Sequence, residues 1–440
     1  MHYMKDDMNV LVVGNGGREH ALAWKIRQSR YVKNLYCTGS NAGLAKIATC
    51  SNIPNNDIDE IAKYAKENKI DLVVVGPEGP LVAGLADRLI EDGISVFGHK
   101  SAAARIEGSK EYAKCLMNSF DIPTADFGVF TDPEYANKFL KKNWDENPHG
   151  YVVKADGLAA GKGVIVCDTL EDAYKAVNNM MVEHKFGKAG DRVIIEERLV
   201  GEEASIICMT NSEDYVLFPS SQDHKPAYNN DKGPNTGGMG AYSPAPVVTN
   251  ELMHEIEKTI LEPAIFGMAG DAPLRGFLYA GIMITEDGPR VLEFNARMGD
   301  PEAQPLVYRV KSDIVPCLVE CTSGDMISFS STELEIDPRP AVCVVMASKG
   351  YPDKPCKKGK LIKGLDDVEK LDDVFVFHAG TAVEDGKVYT SGGRVLGVTA
   401  LGKNIAEAIN RAYDAVDRIS CEESGFHYRT DIGRKALRKL

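Results

Sequence analysis

The chain's 440 residues exceed one ordinary domain, so about three compact units are expected from a composition, 44% apolar and 26% charged, typical of globular proteins. A net charge of −13 argues against electrostatic binding to nucleic acid or an anionic membrane, although a local basic pocket can still hold a phosphate. Ten scattered cysteines without a Cys-x-x-Cys, nine histidines without a zinc-type pair and no secretory signal predict a reduced, cytoplasmic protein, expected to be a monomer with no nucleic-acid or membrane partner.

After a polar start at Met1–Met8, the pattern from Asn9 is α/β. An apolar run at Val10–Val13 leads through a glycine turn to a helix-like stretch, Glu19–Gln28, and a short strand at Leu35–Cys37. Ile58–Asn68 reads as helix, Leu72–Val75 as buried strand and Pro80–Glu91 as helix. Fully apolar strands alternating with helices imply a parallel sheet covered on both faces, and this first domain is assigned to residues 1–107.

Residues 108–330 hold two strand–turn–strand regions, Tyr151–Cys167 and Phe277–Phe294. Between them runs a Gly-, Pro-, Asn- and Ser-rich segment, Ser220–Pro246, whose length without structure of its own predicts a functional loop. A third unit, 331–440, opens after Pro338-Arg339-Pro340 with a strand at Ala341–Ala347. Further strands at Phe375–Ala379, Lys387–Thr390 and Arg394–Leu401 and a helix at Ile405–Arg418 complete it. No apolar run reaches the roughly 18 residues a membrane span needs. The chain stops soon after Arg434, from which a single activity is expected.

Four stretches carry chemistry. Gly14-Asn15-Gly16-Gly17-Arg18-Glu19-His20 follows a strand and opens a helix, but Glu19 stands where a dinucleotide fingerprint needs its third glycine. Two readings remain open for it: a phosphate site at a helix N-terminus helped by Arg18, or a tight turn that packs helix on sheet. Lys154–Val164 is a hairpin whose small-residue tip, Ala159-Ala160-Gly161-Lys162-Gly163, lets backbone N–H groups close on phosphate oxygens beside lysine charge. It is not a Walker loop, because Gly rather than Ser or Thr follows Gly161-Lys162 and a strand follows in place of a helix.

In Val193–Ser205 a β-run ends in Glu196-Glu197 and resumes after a Gly turn at Glu202-Glu203, which suits either a solvated edge or acceptors for an adenine amino group and ribose hydroxyls. In Val291–Glu302, strand alternation puts Glu293 and Asn295 on one face and Phe294 toward the core. Two hard oxygen ligands on one face suit a magnesium ion shared with triphosphate oxygens. Arg297, just beyond, can pair with a carboxylate or phosphate.

Lysine, small-residue hairpin, acidic hinge and Glu-x-Asn strand, in that order, resemble the ATP-grasp superfamily. The resemblance is closest to the phosphoribosylamine–glycine ligase family and runs from about Asn9 to Gly433. It is carried by Gly14–His20, Gly76-Pro77-Glu78, Glu107-Gly108-Ser109-Lys110, Lys154–Val166, Ser221–Lys225, Gly233–Gly240, Glu293–Glu302 and Gly392-Gly393-Arg394-Val395. It implies an N-terminal parallel-sheet domain, a central ATP-grasp α+β domain with a small flap at about 124–195, and a C-terminal mixed α/β domain.

It also implies an ATP-dependent ligase that joins glycine to 5-phosphoribosylamine through glycyl phosphate. Lys110 and Lys154 would contact phosphates, and the 159–163 tip would close over them. Glu196, Glu197 and Leu199 would form the adenine hinge, Glu203 would hold the ribose, and Glu293 and Asn295 would bind Mg2+ or Mn2+. Asp223, His224, Lys225, Asn235, Thr236 and Gly237, with Arg297 and Asp300, would face the two small-molecule substrates, as would Gly16 and Gly17. Arg297, Lys154 and Asp300 are the expected catalytic residues. The strand before Glu-x-Asn reads Tyr279-Ala280-Gly281-Ile282, without the acidic ligand many superfamily members place there, so one firmly held ion is expected. The alternative is another ATP-grasp ligase or carboxylase with a different carboxylate substrate, which should lack the Ser221–Gly240 sequence.

Overall fold

The computed structural model describes residues 5–158, 163–322, 334–422 and 425–438. Among them no helix is long and apolar enough to cross a membrane, and all ten cysteines are free thiols.

The first sheet is parallel, in the spatial order Thr49–Cys50, Val32–Cys37, Met8–Val13, Leu72–Val75, Ser95–Phe97. Val10–Val13 and Leu72–Val75 are wholly buried, as two-sided packing requires. The chain reverses its direction of strand addition between Met8–Val13 and Leu72–Val75, so their C-terminal ends frame a crevice. The turns Gly14–Gly17 and Gly76–Glu78 both open there. The expected single helix Pro80–Glu91 is two helices, Glu78–Val82 and Leu85–Glu91, because Gly84 between them adopts φ +91°, a left-handed conformation that ends a helix.

The central sheet is antiparallel, in the order Tyr215–Leu217, Glu202–Thr210, Gly276–Thr285, Gly288–Asn295. One face buries Ile206, Cys208, Leu278, Ala280, Ile282 and Phe294 against helices, which include Lys110–Ser119. Full burial of a phenylalanine contributes about 1.5–3 kcal/mol, so the Phe294 position fixes which face Glu293 and Asn295 present. The flap is a separate four-stranded antiparallel sheet, Phe127–Phe130, Val193–Glu197, Tyr151–Ala155 and Val164–Cys167, packed with helices Pro133–Asn143 and Leu170–Val177 around its own core.

Ser220–Pro246 is not a structureless loop. It contains strands Gln222–Asp223, Pro226–Tyr228, Lys232–Asn235 and Gly240–Ser243. Gly240–Ser243 pairs antiparallel with Ala341–Ser348, so the C-terminal sheet runs Gln222–Asp223, Gly240–Ser243, Ala341–Ser348, Arg394–Leu401, Val374–His378. The signal that misled is compositional: two- to four-residue strands separated by turns contain too few apolar residues to display a period. The last helix, Ile405–Val416, covers this sheet with Ile405, Ala408, Ile409, Ala412, Ala415 and Val416.

Candidate active site

A cleft of about 520 Å³ lies where the first sheet's C-terminal edge, the central sheet, the flap and the C-terminal sheet meet. Ser109 caps the helix Lys110–Ser119 by accepting from the Tyr112 N–H, and this aims the helix's first turn into the cleft. Lys110 and Lys114 are four residues apart and share a face, so both line the cleft. Lys110 Nζ donates to the Gly157 carbonyl at 3.0 Å. Lys114 is fully buried, with Nζ 2.8 Å from Thr124 Oγ1, 3.1 Å from the Ala125 carbonyl and 3.3 Å from Glu196. Burial, with Lys154 nearby, pulls its pKa down to about 8 although Glu196 works the other way.

Lys154 enters from the flap and bridges the two sheets, donating to the Leu292 carbonyl at 3.1 Å and pairing with Glu196 at 2.7 Å. The Leu292 carbonyl is available because of a bulge: Gly281 pairs with Glu293 but Ile282 pairs with Val291, leaving Leu292 as an extra residue. Alternation alone did not reveal that bulge, which turns Leu292 and Glu293 together onto the cleft wall. Asn295 shares the Glu293 face, with Nδ2 3.5 Å from Glu293 Oε1; presenting its amide oxygen to a cation requires only an amide flip. Burial disfavours the Glu293 charge, but Lys225, Lys154, Lys110 and Arg297 outweigh it and hold the carboxyl below its ordinary range.

The acidic stretch divides. Glu196 is buried between the two lysines, and its Oε1 lines the cleft without a hydrogen-bond partner. Glu197 accepts from Arg290 and the Asp126 N–H and does not line the cleft, nor does Leu199. Glu203 pairs with Lys225 at 2.9 Å and borders an adjoining cleft of about 410 Å³. Asp223 and Lys225 line both clefts, and Thr236 and Gly237 line the larger one. Burial pushes Asp223 up to about 7, with Lys225 opposing and Glu302, Glu203 and Glu293 reinforcing. Burial works against the Lys225 charge, yet Asp223 and Glu203 keep it firmly protonated. His224 is buried on the smaller cleft with both ring nitrogens unpartnered, and burial, Arg429 and Lys435 bring its pKa down to about 4, leaving it neutral. Asn235 sits on an exposed edge strand away from the larger cleft.

Arg297 and the glycine turn each engage protein carboxylates. Arg297 lines the cleft as expected, and its guanidinium also pairs with two protein carboxylates, Glu78 at 3.2 Å and Glu107 at 2.8 Å. Glu107 also accepts from the Ala296 N–H at 2.7 Å, and burial lifts its pKa to about 7 against the Arg297 charge. At the helix Gly17–Arg27, the Gly16 N–H donates to the Glu19 side chain at 2.6 Å. The carboxylate of Glu19 thus takes up a backbone donor of this turn as a capping box does, which favours the tight-turn reading; Arg18 pairs with the same carboxylate. Gly16 and Gly17 instead border Asp300, which a Cβ on them would meet at 3.7 and 3.5 Å.

Asp300 lines the cleft and is held ionised, against burial, mainly by Arg394 at 2.9 Å and by Arg18. Sequence reasoning assigned no role to Lys114, to Glu78 and Glu107, to Arg394, or to the buried Tyr279–Glu302 hydrogen bond of 3.0 Å. Only Lys114 carried a usable signal, its helical spacing from Lys110. The tip residues Ala159, Ala160, Gly161 and Lys162 lie outside the described residues; Gly163 closes the hairpin, its carbonyl accepting from the Ala155 N–H at 2.8 Å.

The donor set fits a nucleoside triphosphate with a divalent cation. Three lysines converge on one wall, the unpartnered Glu196 Oε1 can accept from an exocyclic amine, and Glu293 and Asn295 supply hard oxygen ligands. Among the described residues no three His, Cys, Asp or Glu side chains converge as a metal site, so any cation here must complete its shell from phosphate or water. A Cβ at Gly281 would lie 3.3 Å from Glu293 Cγ, so a side chain there would press on Glu293.

Comparison with known proteins gives the same answer. The phosphoribosylglycinamide synthetase N domain matches residues 8–107, the ATP-grasp (A) domain 108–303 and the C domain 341–435. Phosphoribosylamine–glycine ligases of Rhodopirellula baltica and Brucella melitensis are 49% and 47% identical over 98% of this chain and 98% and 99% of theirs. The crystal structure of the Thermotoga maritima phosphoribosylamine–glycine ligase superposes with TM-score 0.80 at 32% identity, covering 96% of this chain and all of that one. The Campylobacter jejuni biotin carboxylase complex with β-γ-ATP shares the fold, with TM-score 0.74 at 14% identity over 97% of this chain and 93% of that one. The chain belongs to the phosphoribosylamine–glycine ligase family.

Proposed function

We propose that this chain joins glycine to 5-phosphoribosylamine, converting ATP to ADP and phosphate, and that the cleft described above is where it does so. The observation that carries this reading is the meeting, in one cleft, of Lys110, Lys114 and Lys154 with Glu293–Asn295 on one side and Asp223, Lys225 and Asp300 on the other. A carboxylate is a poor electrophile, so the glycine carboxylate must first become an acyl phosphate. Lys110 and Lys154 offset charge on the γ-phosphoryl group as it transfers. Glu293 and Asn295 would hold Mg2+ or Mn2+, which when bound supplies further positive charge to the phosphates. Glu196 receives the adenine amino group. Asp223, with Lys225 beside it, faces the amine-bearing substrates, while Asp300, positioned by Arg394, is suited to sugar hydroxyls. The amine nitrogen forms the amide bond as the acyl C–O bond to phosphate breaks, and no side-chain nucleophile is needed.

For the units we propose 1–107, 108–330 with the flap at about 124–195, and 331–440, with strands of 222–243 completing the last unit's sheet. All the site residues come from one chain, so a monomer suffices, and ten free thiols suit a reducing cytoplasm. The test is ADP formation with each candidate carboxylate, with phosphoribosylamine generated in situ, under Mg2+ and under Mn2+. Turnover that requires both glycine and phosphoribosylamine and yields their amide is expected. Glycine-independent turnover would overturn the reading in favour of another ATP-grasp ligase or carboxylase.

A further inference from the structure

The substrate amine carries a phosphate monoester, and the cations lining the cleft are already engaged with protein acceptors. Arg394 donates to the Gly237 carbonyl at 2.6 Å and pairs with Asp300; Arg18 pairs with Glu19 and Arg297 with Glu78 and Glu107. Lys225 pairs with Glu203, Lys114 and Lys154 share Glu196, and Lys110 belongs to the triphosphate side. With these cations shared among protein acceptors and the triphosphate, a second dianion in this cleft gains from further positive charge nearby.

Residues 349–360 lie beside the cleft, which Tyr351 of this turn lines. This turn carries five lysines against one aspartate in a chain whose net charge is −13. Lys349, Lys354, Lys357 and Lys358 are exposed, and among the described residues none of the four has a carboxylate partner. The turn is folded back on itself: the Lys357 N–H donates to the Lys349 carbonyl at 3.3 Å and the Lys354 N–H to the Gly350 carbonyl at 2.7 Å. It is pinned to the neighbouring strand by Thr390 Oγ1, which donates to the Lys357 carbonyl at 3.2 Å. Its Tyr351 lines the cleft, with the hydroxyl accepting from the Gly237 N–H at 3.2 Å and the ring close against Gly393. Ordered backbone, unpaired lysines and a direct contact with the cleft wall thus coincide in one twelve-residue turn.

We propose that the 349–360 turn is the docking site for the substrate's phosphate monoester, placing the sugar against Asp300 and the amine toward Asp223. This assignment rests on the ligase reading for the identity of the ester. A dianion on a cluster of exposed lysines is held by screened Coulomb attraction with a Debye length of about 8 Å at physiological salt, so binding should weaken as salt rises.

Ribose 5-phosphate, a stable phosphate monoester, and ribose are titrated by calorimetry into the full chain and into the K349A/K354A/K357A/K358A variant, at two ionic strengths. The wild type is expected to bind ribose 5-phosphate at least tenfold more tightly than ribose, with the preference lost in the variant, weakened by salt and restored by four arginines. Equal binding by wild type and variant, or no preference for the phosphate, overturns the assignment. All four side chains are exposed, so an unchanged melting temperature separates lost binding from lost fold. In parallel, the ligase assay reads the KM for phosphoribosylamine, expected to rise at least tenfold in the variant. Amide formation with an unmoved KM sinks the docking site and spares the ligase reading. Lysine-dependent binding of ribose 5-phosphate without amide formation does the reverse.

Discussion

Lys114 is a lysine that the fold holds at a cost, and that cost can be measured. In Lys114→Met the side-chain volume and the helix are kept while the ammonium is removed. The folded pKa of about 8 against an ordinary lysine value of 10.5 means that the unfolded chain binds the proton more tightly. Because this folded pKa is depressed, the group's contribution to stability is fully present above the unfolded pKa and is lost as pH falls through the folded one. The window is therefore pH 8 to 10.5, within which wild-type stability rises with pH. Carried through the linkage relation, the wild type should gain roughly 2 kcal/mol relative to Lys114→Met between pH 7 and pH 10. Contributions from packing, and from the Thr124 and Ala125 partners left behind, are the same at both pH values and cancel in the difference. Urea unfolding of both proteins at the two pH values gives the number directly. A gap that stays constant within about 0.5 kcal/mol would refute the argument that burial and Lys154 depress this ammonium. At pH 7 the same variant should bind ATP roughly tenfold more weakly, a loss of about 1.4 kcal/mol.

Other consequences are as concrete. Glu293→Gln should lower ATP turnover by at least about 100-fold with the melting temperature little changed; wild-type turnover at limiting magnesium would remove the metal role. Arg297→Ala leaves the nearly buried Glu107 and the half-buried Glu78 without their cation and should cost roughly 3 kcal/mol near pH 8. The folded pKa of Glu107, already raised to about 7, would rise further without Arg297. A raised acid contributes stability below its unfolded value of 4.5 and loses it as pH rises through the folded value, so part of the deficit should return between pH 7 and 5.5. A variant equally unstable at both pH values would argue against it. Gly281→Ala brings a methyl to 3.3 Å from Glu293 Cγ and should raise the magnesium concentration for half-maximal turnover several-fold; an unchanged requirement would mean that Glu293 has room to move.

What the sequence made legible follows from the range of each interaction. Glu293 and Asn295 share a face because strand alternation is a local rule, and Phe294 in the core enforces it. The bulge at Leu292 is equally local in geometry but is set by pairing with Gly281 and Ile282, so strand composition does not disclose it. The protein partners of Arg297 are a matter of distance along the chain: the carboxylates it pairs with, Glu78 and Glu107, lie about 200 residues away, so no local pattern discloses them. Glu19 reads in the sequence as a failed glycine, whereas its carboxylate caps the helix it opens. The Ser220–Pro246 segment reads as unstructured because each strand in it is two to four residues long, and Gly240–Ser243 is completed by residues more than 90 positions later.

The way Gly240–Ser243 is shared has a mechanical side. The backbone that runs from Thr236 and Gly237 on the cleft wall continues into a strand hydrogen-bonded to Ala341–Ser348, so that wall and the C-terminal sheet must translate together. The flap is coupled differently. It has its own core and is tied to the central sheet by few bonds, among them Thr124 to the Val291 carbonyl at 2.6 Å and Lys154 to the Leu292 carbonyl at 3.1 Å. The side of the cleft that carries Thr236 and Gly237 is thus continuous with the C-terminal sheet, whereas the flap is a separately packed unit. Any displacement of the flap would therefore change the distance from Lys154 to Glu293 before it changed the spacing of Thr236 from the C-terminal sheet.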